Sequence, residues 1–105
     1  HMVDAGREAL SFCAGRSRAD LNTDRMFARA LVKALEIIGE AASKVSAQTR
    51  HEIADVPWLE IVTMRHRLTH TYFDIDLDIV WNTATLDVPP LLEVLSAWLE
   101  REGHQ

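Results

Sequence analysis

A chain of 105 residues, 48% hydrophobic and 26% charged, is long enough for one domain with a single core and too apolar to be disordered. The formal net charge of −5 argues against tight, non-specific binding of nucleic acid by the surface as a whole. No apolar run approaches a membrane span, and a single cysteine, Cys13, excludes an intramolecular disulfide and suits a reducing cytoplasm. Charge is unevenly spread: Arg16, Arg18, Arg25, Arg29, Lys33, Arg65 and Arg67 hold seven of the eleven basic residues, while acid dominates after Phe73. A basic patch on an acidic protein is therefore open, as is a basic partner. His1-Met2 reads as the remnant of an expression tag, so the expected domain runs from 3 to 105.

Residues 3 to 14 predict a short helix with Ala5, Ala9, Leu10, Phe12 and Cys13 as its apolar positions, stopped by Gly15. Arg16 to Asn22 is a polar connector. The longest helix is expected from Asn22 or Thr23 to about Val45, with an apolar stripe from Met26 and Phe27 through Ile37, Ile38 and Ala42 that is too wide for one neighbour. Gly39 costs a helix about 1 kcal/mol relative to Ala. Beside Ala41 and Ala42 it reads as a notch for another helix. Ser46 to Glu52 predicts a helical turn, and Pro57 suits the first turn of a helix running from Trp58 to His70 or Tyr72. Asp76 can cap a helix from Leu77 whose inner face would carry Ile79, Val80, Trp81 and Leu86. Pro89 and Pro90 should break or kink the chain, with Asp87 as the cap of a last helix. The sum is an all-α bundle of about five helices.

The segment from Thr63 to Asp76 departs from this ordinary pattern. Trp58, Ile61, Val62, Leu68 and Tyr72 form an apolar stripe at helical spacing, and Arg65 falls in its middle. A guanidinium does not lose its proton and is costly to bury without an anion or a cleft. Three familiar chemistries do not fit. Asp74, Asp76 and Asp78 begin like a calcium loop, but Ile79 stands where glycine is needed. Four scattered glycines make no phosphate loop. His66 and His70, with Asp74 following, have metal spacing but lack the glutamate of the zinc motif, so no metal or other cofactor is expected. Arg65 and His70 are the better pair: a fixed positive charge for a phosphate and a group titrating near neutrality. Five residues on a regular helix put them about 140° apart. Either the helix distorts near Thr69 and His70, or each pair is completed by a symmetry mate. Such a pair suits phosphodiester cleavage, and equally the two residues could serve only the fold, with Arg65 bound to Glu36 or Glu40.

At these residues the sequence resembles a known family. Arg65, four intervening residues, His70, one residue and Tyr72 are similar to the Arg-x4-His-x-Tyr motif of the HEPN superfamily, closest to HepT-like toxins of HepT/MntA toxin–antitoxin modules. Supporting segments are the A-L-E-I-I-G-E-A-A run from Ala34, V-P-W-L-E-I-V from Val56, D-L-D-I-V-W from Asp76 and the late V-P-P-L. The resemblance implies an α-helical homodimer acting as a metal-independent endoribonuclease, in some members on transfer RNA. It implies that Arg65 and His70 are the catalytic pair in a cleft shared by two subunits, with His66 and Arg67 supporting RNA. It also implies that Tyr72 is modified with AMP by a partner MntA-like nucleotidyltransferase antitoxin. Two departures stand out: His66 replaces a polar amide frequent in relatives, and the first helix is short for the family. The rival reading is a catalytically idle domain that docks nucleotide or RNA for that partner.

Overall fold

The computed structural model describes residues 2–70 and 76–102, apart from the side chains of 69 and 70. It is all-α, and no strand occurs among the described residues. The helices are α1 (Met2–Cys13), α2 (Asp20–Thr23), α3 (Arg25–Ser43), α4 (Ala47–Glu52), α5 (Trp58–His70), α6 (Leu77–Asn82) and α7 (Val88–Arg101).

Helix α3 is the axis of the bundle. Its 19 residues bury Phe27, Leu31, Ala34, Leu35, Ile38, Gly39 and Ala42, so α1 and α5 both pack on it, and α7 lies against α1. This is the use the wide apolar stripe predicts. Met26 is the exception at 82% exposed, because it stands on the side of α3 that carries the exposed Arg29 and Lys33. Asp24 caps α3 by accepting a hydrogen bond from the Phe27 amide. The start thus lies beyond Asn22 or Thr23, because residues 20–23 close a helical turn of their own inside the expected polar connector. Met2 is buried within α1, and Gly15 takes φ +72° just past that helix, a conformation that costs glycine little.

Two local devices turn the chain back along α3. Ser46 caps α4 by accepting from the Thr49 amide, and Arg50 donates from Nη2 to the Ala42 carbonyl at 2.8 Å while its guanidinium sits 5.8 Å from the Trp58 ring centre. The buried Trp58 indole donates to the Ile53 carbonyl at 3.2 Å. Helix α5 therefore begins beside the C-terminal end of α3 and runs antiparallel to it.

After residues 71–75, Asp76 caps α6 as the sequence suggests, accepting from the Asp78 and Ile79 amides. The prolines then do something other than break the helix. Pro89 and Pro90 lack the amide hydrogens that the Thr85 and Leu86 carbonyls would accept, and the turn just before them, Thr83–Asp87, is π-helical, with the Val88 amide bonded to the Thr83 carbonyl. Asp87 accordingly makes no cap with its side chain, and α6 passes into α7 without a break. Two residues past Ala84, position 86 comes round to the far side of the helix. Val80 and Ala84 stay buried, whereas Leu86, expected inside, is 66% exposed. Ile79 is also exposed, because α6 meets α3 along a narrow face only.

Candidate functional site

Arg65 is half-buried on the α3 side of α5, where the apolar stripe places it. What admits it is Gly39. A Cβ built at Gly39 would stand 2.3 Å from the Arg65 Cβ and 3.0 Å from its Cγ. The notch expected from the small residues of α3 thus seats the motif arginine itself. The stem of Arg65 lies on bare backbone, which fixes the root of the guanidinium relative to the core. Trp58 and Leu68 are buried on either side of it, and Ile61 and Val62 are partly buried.

The other sequence-predicted residues are distributed around α5. His66 and Arg67 are exposed. Arg67 lies about 200° around the helix from Arg65 and lines a cleft instead of the α3 contact. The backbone of α5 stays α-helical through His70, so the distortion that would bring positions 65 and 70 together within one helix does not occur up to that residue. The His70 side chain, Thr69 side chain and all of Tyr72 lie outside the described residues.

The cleft was not legible from the motif. Among the described residues helix α5 packs closely on α3 only, and the rod of α6 and α7 touches α1 and α3, so the two walls stand apart over a floor of Leu35 and Ile38. The opening between them has a volume of about 510 Å³. Its lining is chiefly apolar, with Met64 on one side and Val88 and Leu91 on the other, and with Asp55, Glu60, Asp87 and Arg67 among the polar groups. Leu59, 79% exposed, and Ile79 both border it. Leu59, an apolar residue off the stripe of α5, is the sequence signal that could have found it.

Ionic contacts tie α6 and the start of α3 to the chain between α1 and α3. Arg18 donates from Nε to Asp78 Oδ1 at 2.6 Å and from Nη1 to Asn22, tying the first turn of α6 to the chain entering α3. Arg16 bonds Asp24 at 2.9 Å and lies 4.8 Å over the Phe27 ring. That guanidinium, helped by the Phe27 amide, holds the Asp24 carboxyl below its ordinary range.

A family model described as ribonuclease HepT-like matches residues 2–98. A protein named "putative RNase" from Caldanaerobacter subterraneus subsp. tengcongensis is 38% identical over 88 residues, covering 84% of this chain and 79% of its own length. Another of that name from Methanocaldococcus jannaschii is 31% identical over 90 residues, 86% of this chain and 83% of the relative. A protein named "probable ribonuclease HepT" from Thermococcus cleftensis is 36% identical over 72 residues, 69% of this chain and 66% of its own. No solved structure matches. With nearly the whole helical bundle matched, and the Arg65 helix seated within that span, the chain belongs to the ribonuclease HepT-like family.

Proposed function

We propose that the protein is an endoribonuclease that cleaves RNA without a metal ion and acts as the toxin of a toxin–antitoxin pair in the cytoplasm. The observation that carries this reading is the motif arginine half-buried on Gly39 in a chain of the ribonuclease HepT-like family. The 2′-hydroxyl of the RNA attacks the adjacent phosphorus, and the bond from phosphorus to the 5′-oxygen breaks. His70 takes the proton from the 2′-oxygen or supplies one to the departing 5′-oxygen. Arg65 offsets the charge that builds on the phosphoryl oxygens, with His66 and Arg67 supporting the strand.

The working unit in this reading is a homodimer. A regular α5 keeps positions 65 and 70 about 140° apart, so one helix does not present both to a single phosphate. A second subunit can. Exposed Leu59 and Ile79 beside an apolar cleft on the motif helix favour such a partner. The antitoxin is a nucleotidyltransferase that joins the Tyr72 oxygen to the α-phosphorus of ATP and releases pyrophosphate. The bound AMP then places negative charge and bulk where RNA would lie.

Arg65→Ala and His70→Ala each abolish RNA cleavage measured in EDTA while the dimer persists in sedimentation. Cutting at the parent rate by either variant would overturn the assignment. Binding of the partner with no turnover by the unmutated protein would leave only a docking domain. Intact mass after co-expression with the neighbouring gene should show one added AMP, lost in Tyr72→Phe.

A further inference from the structure

The first half of α3 carries charge of the wrong sign for its place. The N-terminus of a helix is the positive end of the backbone dipole, which favours carboxylates there and cations toward the C-terminus. In α3 the order is reversed. Arg25 occupies the first position, Arg29 and Lys33 follow at intervals of one turn, no acidic residue lies in the first turn, and Glu36 and Glu40 come later. All three cations are exposed. Among the described residues neither Arg25 nor Arg29 pairs with a carboxylate, and Lys33 reaches Glu36 only at 4.0 Å. The bases nearby are already committed, Arg16 to Asp24 and Arg18 to Asp78. Beside the row stands Met26, 82% exposed, three residues before Arg29 and seven before Lys33 and therefore on the same side of the helix.

The row also adjoins the motif. Around the axis of α3, Arg25 and Arg29 lie within about 80° of Gly39, the residue that seats Arg65. Because α5 runs antiparallel to α3, its end at His70 points toward the N-terminal half of α3. Helix α6 begins where Arg18 holds Asp78. The motif end of α5 and the basic row thus share one end of the bundle.

We propose that Arg25, Arg29 and Lys33 form a track for the sugar–phosphate backbone of the RNA beside the cleaved bond, with Met26 offering an apolar surface to a base. The proposal rests on the ribonuclease reading above. Four residues of helix put about 6 Å between successive cations, of the order of the separation of neighbouring phosphates along a strand. Guanidinium groups suit phosphate oxygens, and the positive end of the helix adds to their field. Since these cations oppose the dipole, they weaken the helix they stand on, and removing them leaves the fold intact.

The test uses a fluorescein-labelled single-stranded RNA with 2′-O-methyl groups, which lacks the internal nucleophile and stays uncut. Binding is measured over a range of salt for the unmutated protein, Arg25→Ala/Arg29→Ala, and Lys44→Ala at the opposite end of α3. The double variant should melt no lower than the parent. It should bind about tenfold or more weakly, and the slope of log affinity against log salt should fall by about 1.4, the share of two phosphates on a single strand. Lys44→Ala should match the parent. Equal affinity and slope in the double variant overturn the track and leave the nuclease standing. Equal loss in Lys44→Ala overturns it too, by assigning the effect to net charge. An unmutated protein that neither cuts RNA nor binds the 2′-O-methyl strand overturns both readings.

Discussion

Replacing Gly39 by alanine tests whether the close seating of α5 matters. The new Cβ would meet the Arg65 Cβ at 2.3 Å, its Cγ at 3.0 Å and its Cα at 3.4 Å. Carbon atoms in ordinary contact stand about 3.5–4.0 Å apart, so the two helices must separate by more than about 1 Å. The root of a side chain cannot swing aside as its tip can. Overpacking of this kind costs about 1–3 kcal/mol, and the helix propensity of alanine returns about 1 kcal/mol. A net loss of about 1 kcal/mol, at most about 2, should appear in urea unfolding followed by circular dichroism. Displacement of the motif helix should lower RNA cleavage by about a hundredfold, a larger effect than the stability change implies. Gly6→Ala is the control. Its Cβ would meet Leu92 Cδ2 at 2.7 Å, the end of a flexible chain that can rotate away, so its cost should be small. Arg65→Ala keeps its own Cβ and does not relieve Gly39→Ala, whereas Arg65→Gly removes the clash. A Gly39→Ala protein more stable than its parent by the full propensity gain, and as active, would refute the notch.

Other outcomes follow from the same contacts. Leu35→Ala, at a fully buried position that also floors the cleft, should cost about 2–5 kcal/mol in chemical unfolding. Ser46→Ala removes the acceptor that caps α4 and should cost about 1 kcal/mol, read as a lower melting temperature. Asp24 has a depressed carboxyl pKa in the folded protein, so its contribution is present above the ordinary carboxylate range and fades as pH falls through the folded value. The melting difference between Asp24→Asn and the parent should accordingly be widest near neutrality and narrow toward pH 3. Burial raises the Cys13 thiol above its usual range, so iodoacetamide at mildly alkaline pH should alkylate it more slowly than it does free glutathione.

What depends on local spacing was legible in the order of the residues. Apolar periodicity marked α3 as the shared helix, glycine at 15 and aspartate at 76 marked where chain elements stop and start, and an arginine inside an apolar stripe marked the motif. Tertiary structure alone decided which partner each face meets. Gly39 reads as a generic notch until Arg65 is seen resting on it, because the two are 26 positions apart and their contact is set by the antiparallel return of the chain. The two prolines signalled a break, but they fall in the first turn of α7, where proline is tolerated, and a π turn before them carries the chain on from α6. Leu86 faces the surface because it stands on the far side of the helix from buried Ala84. Periodicity fixes the side of a helix on which a residue stands; only the packing of the other helices says whether anything covers it.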